Sequence, residues 1–194
     1  MLDIIHILQL MNSLSKRRPL FHSEADFQFE LSKELWMFDK NLEIYLERPI
    51  RYNSQDYHID IFLVKENYKI AIELKYKTSK LYYNDFNLKH QQAHNCNTYN
   101  FAKDIKRLEN LKQINEINCG YAIFLTNSSN YWENSNNNTN YTKLADFSLL
   151  KTIKSTCKEN SFSLTKDYRL NWNFYSRIPS CNKNCVFKFL LIKV

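Results

Sequence analysis

Two short stretches decide the fold of this chain: His58-Ile59-Asp60-Ile61 and, after a polar turn, Ile70-Ala71-Ile72-Glu73-Leu74-Lys75. Each is apolar or alternating, as β-strands are, and Lys65-Glu66-Asn67 between them predicts the turn of a hairpin. An even-length loop centred on that turn places Asp60 directly opposite Glu73. Opposed side chains lie roughly 4.5 to 5.5 Å apart, so two carboxylates there repel each other unless a cation lies between them.

The alternation of side chains along a strand predicts two faces for this hairpin. Lys75 shares the face of Asp60 and Glu73, because residues two apart point the same way. The opposite, apolar face is predicted to hold Ile59, Ile61, Leu63, Ile70, Ile72 and Leu74. The ordinary alternative is that the charged face lies in solvent and that its charges form a salt bridge between the two strands. The apolar run before Glu73 is typical of an interior strand, where a carboxylate needs a metal or a close cation.

Composition sets the broad class of protein. The 194 residues, 44% of them hydrophobic, predict a single domain over residues 1–194 with a true apolar core. The net charge of +7 suits a polyanionic partner. Five cysteines at irregular spacing favour reduced thiols and a cytoplasmic location. The apolar run from Met1 to Met11 is too short to span a bilayer and lacks the features of a secretion signal, so we expect no membrane association.

The periodicity predicts the remaining elements. Helices are expected over 1–14, 23–38 and 98–115, and strands over 42–50, 57–64, 68–76, 120–126, 168–174 and 185–194. The strand at 120–126 should run parallel to an earlier strand, across the helix before it. We expect a loop or short helix over 78–97, an asparagine-rich loop over 127–140 and a helix over 141–156. The single glycine, Gly120, excludes glycine-rich phosphate loops.

This order resembles the core of the PD-(D/E)XK nuclease superfamily over about residues 20 to 126: a helix with Glu24, three strands, a helix and a strand. Asp60 lies on the second strand and Glu73-Leu74-Lys75 on the third. Ile59 replaces the proline of the family's name. His58–Thr78 and parts of the chain up to Glu109 also resemble a group of uncharacterised prokaryotic members. The resemblance implies an α/β fold with a restriction endonuclease-like core, in which α-helices flank a central mixed β-sheet and extra strands follow at the C-terminus.

The resemblance also implies a function, a Mg²⁺-dependent endonuclease, with Mn²⁺ substituting, that hydrolyses phosphodiester bonds in DNA, in restriction or defence. A hard divalent cation held by oxygen atoms neutralises the phosphate and activates water. Asp60, Glu73 and the carbonyl of Leu74 would bind the ion. Lys75 would orient the attacking water. Glu24 would be a water-mediated or second-metal ligand, unless it is only a favourable charge in the first turn of a helix.

Candidate nucleic-acid contacts are basic or polar residues after the third strand and on the following helix. They are Lys77, Lys80, Gln91, Lys103, Lys106 and Arg107, with Tyr76, Tyr82 and Tyr83 interleaved for stacking. A solvated surface is the alternative for each. His90, His94 and Cys96 have the spacing of zinc ligands but lack a fourth. The rival function is a non-catalytic nucleic-acid-binding or assembly subunit, and a homodimer or a partner subunit stays open.

Overall fold

The computed structural model describes residues 2–91, 93–133, 148–149, 152–153, 161–179 and 184–194. Its helices are α1 (Ile4–Arg17), α2 (Glu24–Phe38) and α3 (His94–Gln113). Its longer strands are β1 (Glu43–Tyr52), β2 (Gln55–Lys65), β3 (Tyr68–Lys77), β6 (Cys119–Thr126), β11 (Trp172–Arg177) and β12 (Val186–Lys193). The short strands are β4 (Leu81–Tyr83), β5 (Phe86–Leu88), β7 (Ser148–Leu149), β8 (Thr152–Ile153), β9 (Phe162–Ser163) and β10 (Tyr168–Arg169).

A six-stranded mixed sheet in the order β1-β2-β3-β6-β12-β11 forms the centre of the molecule. β3 and β6 are parallel and are joined through α3, whereas every other neighbouring pair is antiparallel. A parallel pair needs a crossover, and the helix supplies it. The predicted α/β fold, a mixed sheet with helices and additional C-terminal strands, is therefore confirmed.

The helices cover both faces of the sheet. α1 and α2 pack on one face, where Met11, Phe27 and Leu31 join Ile61 and Ile72 in one apolar cluster. α3 packs on the other face, and its stripe of Phe101, Ile105 and Leu108 lies in a second cluster with sheet residues such as Phe62 and Ala122. A strand that is buried on both sides has a continuously apolar sequence, which accounts for the apolar run before Glu73.

The predicted register of the central hairpin is confirmed. Ile61 pairs with Ile72 and Leu63 with Ile70, which is the alignment that brings Asp60 opposite Glu73. The β2–β3 pairing ends at Ile61, so these two carboxylates lie just beyond the last paired residues.

The prediction that Ile59 shares the face of Ile61 is wrong. Ile59 belongs to the cluster on the α3 side, together with Phe62. The pairing of β1 with β2 skips Glu47 and Asp60, and Glu47 has a positive φ of 51°. The strand alternation is therefore interrupted at Asp60 itself, which sequence periodicity does not reveal.

Two predictions of local structure are also wrong. Residues 78–97 contain the hairpin of β4 and β5, and α3 already begins at His94. The expected helix over 141–156 is contradicted by the strands β7 and β8, and its other residues lie outside the described part of the chain. The asparagine-rich segment begins with a short 3-10 turn, Ser129–Tyr131, and residues 134–140 are outside the described part.

The cysteines differ from the predicted reduced state. Cys96 and Cys185 are disulfide-bonded, whereas Cys119 is free and buried. Pairing depends on distances in the folded chain, which an odd count of cysteines does not exclude. Disulfides persist mainly in oxidising compartments, so a cytoplasmic location stays a prediction. In the described residues, no helix has the length and apolar character that crossing a membrane requires.

Gly120 allows α3 to approach β6 closely. A Cβ atom at this position would lie 3.0 Å from Cβ and 3.2 Å from Cδ2 of Leu108. We expect Gly120→Ala to lower the free energy of unfolding by about 1 to 3 kcal/mol, because Leu108 must give way by a few tenths of an ångström in a packed interface. Urea denaturation measures this, and the loss should be smaller in a Leu108→Ala background. An unchanged midpoint would show that the interface relaxes freely.

Candidate active site

The candidate site lies where β2 and β3 stop pairing, a place that we call the fork. Asp60 from β2 reaches across it, and its Oδ2 accepts a hydrogen bond from the backbone N–H of Leu74 at 2.5 Å. Gln28 of α2 fixes the same point from the other side, since its Nε2 donates to the carbonyl of Asp60 at 2.5 Å and to Oε1 of Glu47 at 2.8 Å. The Asp60 carboxylate is thus held against β3 at the end of the ladder.

Glu73 is buried beside a guanidinium from α3. It is only 1% exposed, and its Oε1 accepts a hydrogen bond from the NH1 group of Arg107 at 2.8 Å. Arg107 also lies 3.6 Å from Asp104, one turn earlier on the helix. The buried carboxylate therefore has its charge partner within the protein.

Lys75 points to the same helix. Its ammonium nitrogen lies 2.7 Å from Oδ2 of Asp104 and donates to the carbonyl of Leu74 at 3.1 Å. Asp104 is 4% exposed, and its Oδ2 is buried without a well-aligned hydrogen bond, as is Nε of Arg107. We treat the Lys75–Asp104 contact as an ion pair, because opposite charges at this distance attract whatever the bond angle.

Glu24 closes the site from the start of α2. Its Oε2 accepts hydrogen bonds from the backbone N–H of Tyr76 at 2.7 Å and from Nζ of Lys77 at 3.1 Å. Ser23 caps the helix through its bond from the N–H of Asp26, which sets the direction of the first turn. Glu24 therefore binds the end of β3, one and two residues beyond Lys75, rather than serving only as a first-turn charge.

The buried part of the cluster holds more negative than positive charge. Burial raises the pKa of Asp60 to about 6, against the opposing effects of the Leu74 hydrogen bond and Lys75. Burial and the charge of Asp104 raise the pKa of Glu73, and burial raises the pKa of Asp104 itself. Two buried carboxylates, Glu73 and Asp104, and the half-buried Asp60 thus face two cations, Lys75 and Arg107. A bound cation would offset the remaining charge.

The oxygen atoms at the fork are of the type that binds a hard divalent ion. Asp60, Glu73 and the carbonyl of Leu74 offer oxygen atoms, which Mg²⁺ prefers. Within the described ranges, however, no three His, Cys, Asp or Glu side chains are grouped so that they could hold a metal ion. An ion at the fork would therefore rely on two carboxylates and a carbonyl, and Glu73 would have to share its oxygens with Arg107.

Two of the predicted nucleic-acid contacts belong to this cluster instead. Lys77 pairs with Glu24, and Arg107 holds Glu73. The long side chain of Arg107 reaches back over the sheet and is only 23% exposed. A contact with nucleic acid stays a prediction for both residues, and such a contact would require them to leave these ion pairs.

The other predicted contacts lie around the site. Lys106 pairs with Glu109 at 3.4 Å, whereas Lys80 and Lys103 are exposed. The side chain of Gln91 accepts from the backbone N–H of Thr78 at 2.9 Å, so it anchors the segment after β3.

Of the three tyrosines expected to stack, Tyr82 is the most exposed, at 63%, with Nζ of Lys80 5.0 Å from its ring centre. Tyr83 is partly buried against the core. Tyr76 is buried, and its hydroxyl donates to the carbonyl of Phe21, so its predicted stacking role is wrong.

Sequence reasoning missed Asp104 and Gln28. Asp104 lies three residues after Phe101 and four before Leu108, within the apolar stripe of α3, and an acidic residue in such a stripe is a usable signal. Gln28 follows the buried Phe27 and gives no comparable signal. The zinc alternative is wrong, because Cys96 is disulfide-bonded and is not available as a thiolate.

No family model, curated protein or solved structure matches this chain. Function is therefore inferred from the residues at the fork and from the order of the elements that carry them.

The Arg107–Glu73 pair should be essential for stability. Arg107→Gln leaves Glu73 buried without its charge partner, and we expect the free energy of unfolding to fall by about 3 to 5 kcal/mol. Adding Glu73→Gln should recover most of that loss, because the buried charge is then removed. The matched control is Lys103→Gln, an exposed position on the same helix, which should change stability by less than about 0.5 kcal/mol. Equal effects of Arg107→Gln and Lys103→Gln in urea denaturation would contradict this role.

Asp60 should make the metal-free protein less stable as pH rises. With its pKa raised from 3.8 to about 6, the folded carboxyl keeps a proton that the unfolded chain releases. The contribution of Asp60 to the free energy of unfolding is fully present below about pH 4 and is lost as the pH rises through about 6. The total loss is at most about 3 kcal/mol. Asp60→Asn keeps an acceptor for Leu74 and should reduce the fall in stability with pH, measured by denaturation from pH 4 to 7. Some slope should remain, because the pKa values of Glu73 and Asp104 are raised as well.

Asp39 provides the control for this pH dependence. Its hydrogen bond from Lys65 lowers its pKa, so its contribution to stability is lost as pH falls rather than as pH rises. Asp39→Asn should therefore leave the slope between pH 4 and 7 nearly unchanged, because the pKa of Asp39 lies below its ordinary value of 3.8. The same pH profile for Asp60→Asn and the unaltered protein would show that Asp60 is ionised without penalty.

Proposed function

We propose that this protein is a Mg²⁺-dependent nuclease that hydrolyses the phosphodiester bonds of DNA. We also propose that its sheet and helices form a restriction endonuclease-like core. The observation that carries the proposal is the convergence of Asp60, Glu73 and Lys75 at the fork, with Glu24 at its edge. These residues come from α2, β2 and β3, and the most distant two, Glu24 and Lys75, are 51 positions apart in the chain. The charged cluster is backed by an apolar core that fixes its position.

The order of elements supports the same proposal. The chain runs through α2, β1, β2, β3, α3 and β6 in this order, with the short hairpin of β4 and β5 inserted between β3 and α3. β3 and β6 are parallel, and apart from the inserted hairpin this is the order that the resemblance implies. In this arrangement the acidic residues lie on two adjacent strands and the basic residue lies two positions after the second acid. Restriction or defence against foreign DNA is the setting that we propose for such an activity.

Each residue would have a defined part in the reaction. When bound, the ion supplies positive charge to the phosphate and lowers the pKa of water. Asp60, Glu73 and the Leu74 carbonyl would hold it. Lys75 would place its ammonium beside the attacking water and the developing negative charge, while Asp104 keeps that ammonium in position.

A second function, a non-catalytic nucleic-acid-binding or assembly subunit, is favoured by a specific observation. Lys75 is paired with Asp104, and Glu73 with Arg107, so both residues already have charge partners that need no metal. In such a subunit the cluster would be a buried ion-pair network that fixes the sheet. A partner protein would then cut the nucleic acid.

Cleavage assays on plasmid, linear duplex and single-stranded DNA, with Mg²⁺, Mn²⁺ or EDTA, test the proposal. We expect metal-dependent cutting that Asp60→Asn, Glu73→Gln and Lys75→Met each reduce by about a hundredfold or more. The control is Lys65→Met, because Lys65 also forms an ion pair, with Asp39 at 2.7 Å, at the far end of β2. Cutting that survives Glu73→Gln would point to a contaminating nuclease.

Thermal melting with and without Mg²⁺ separates the two functions. Mg²⁺ should stabilise the unaltered protein and fail to stabilise Glu73→Gln, because a ligand that binds only the folded state raises its stability. Lys75→Met with Asp104→Asn removes both charges of one pair, so it should fold, respond to Mg²⁺ and not cut. A protein that neither cuts nor responds to Mg²⁺ would favour the binding subunit.

A further inference from the structure

The β1–β2 hairpin extends beyond the fork. Strands β1 and β2 stay paired as far as Tyr52 and Gln55, whereas the pairing of β2 with β3 ends at Ile61. Residues 48–59 are therefore paired only with one another in the sheet, and we call this part of the hairpin the arm. The arm begins at the residue next to Asp60, so it borders the candidate active site.

A tight turn closes the arm. Asn53 and Ser54 join the two strands, with φ angles of 49° and 62°. Positive φ at both central residues is the signature of a type I′ turn, whose twist matches that of the flanking strands. The arm is thus a well-defined hairpin with fixed faces.

One face of the arm points to the same side as Glu73. Ile50 and Tyr57 are opposed, so their side chains share a face, and Ile50 is buried in the cluster that includes α3. The ring of Tyr57 lies 5.1 Å from the guanidinium carbon of Arg107, whose NH1 group holds Glu73. A single arginine therefore separates the aromatic face of the arm from the candidate catalytic carboxylate.

This face offers rings to a ligand. Tyr52 and Tyr57 are partly exposed, with ring centres 6.4 Å apart and planes inclined by 32°. The Tyr57 hydroxyl donates to Gln55 at 2.8 Å, which fixes the orientation of the ring. Tyrosine rings beside arginines bind unpaired bases by stacking, and duplex DNA does not expose base faces.

The charge of the arm favours the same ligand. Arg51 and Asp56 lie 4.0 Å apart on the outer part of the arm, both largely exposed, so their charges nearly cancel. With Arg48 included, the arm has a net charge of only +1. This is little for duplex DNA, because duplex DNA is held mainly through its phosphates. Stacking is therefore the interaction for which its residues are suited.

We propose that the arm binds unpaired bases and that the substrate class of the site is single-stranded DNA, whose backbone passes the fork while a base stacks on Tyr57. This inference rests on the proposed nuclease function for its catalytic meaning. It differs from the sequence-based expectation, which placed stacking on Tyr76, Tyr82 and Tyr83.

Fluorescence anisotropy tests the binding step. The probe is a fluorescein-labelled DNA strand of about 20 nucleotides, alone or annealed to its complement, in EDTA so that no cutting occurs. We expect Tyr57→Ala to weaken single-strand binding about tenfold and duplex binding less than about twofold, with Tyr57→Phe close to the unaltered protein. Phe174→Ala is the matched control, since Phe174 is 61% exposed on β11 at the opposite edge of the sheet.

Several outcomes would overturn the inference: no single-strand binding, the same loss for both DNA forms, or the same loss for Tyr57→Ala and Tyr57→Phe. Melting of each variant checks its fold, and Tyr52→Ala at the tip of the arm replaces Tyr57→Ala if that variant does not fold. Cutting of the same strands in Mg²⁺ is scored separately. Binding that depends on Tyr57 without cutting supports the inference and contradicts the nuclease function. Cutting with unchanged binding by the Tyr57 variants overturns the inference alone.

Discussion

Charged side chains are buried at the fork, and their burial limits how the sheet and the helices can be arranged. Asp60, Glu73 and Asp104 are carboxylates removed from much of the solvent, and such groups are costly unless cations and hydrogen bonds accompany them. Lys75 and Arg107 supply the charge, and the Leu74 N–H supplies a hydrogen bond. All of these partners must be placed accurately, so the sheet and α3 need a fixed relative position.

The packing of α3 provides that position. Its apolar stripe lies against the sheet, and Gly120 lets Leu108 approach β6 closely. The same helix turn presents Asp104 to Lys75 and Arg107 to Glu73. A helix displaced by the bulk of one methyl group would therefore affect both ion pairs, which links the stability of the core to the geometry of the site.

On the opposite face, a charged network holds α2. Arg17 pairs with Glu30 and Glu34, and Arg18 pairs with Asp26 and Glu30. Because Glu30 and Glu34 are buried, these pairs fix α2 against the end of α1. α2 carries Glu24 to the end of β3 and Gln28 to the backbone of Asp60. Both faces of the sheet thus contribute residues to the fork.

Hydrophobic periodicity and a polar turn are local signals, so they were enough to predict the mixed α/β sheet, the main helices and the register of the central hairpin. These signals also placed Asp60 opposite Glu73, with Lys75 on the same face as Glu73. The pairing of the charges, in contrast, follows from the packing of the folded chain. Asp104 and Arg107 enter the site from α3, and Gln28 from α2, because helix packing joins residues far apart in the chain. The irregular pairing at Glu47, which turns Ile59 towards α3, and the disulfide bonds likewise depend on contacts that no local pattern contains.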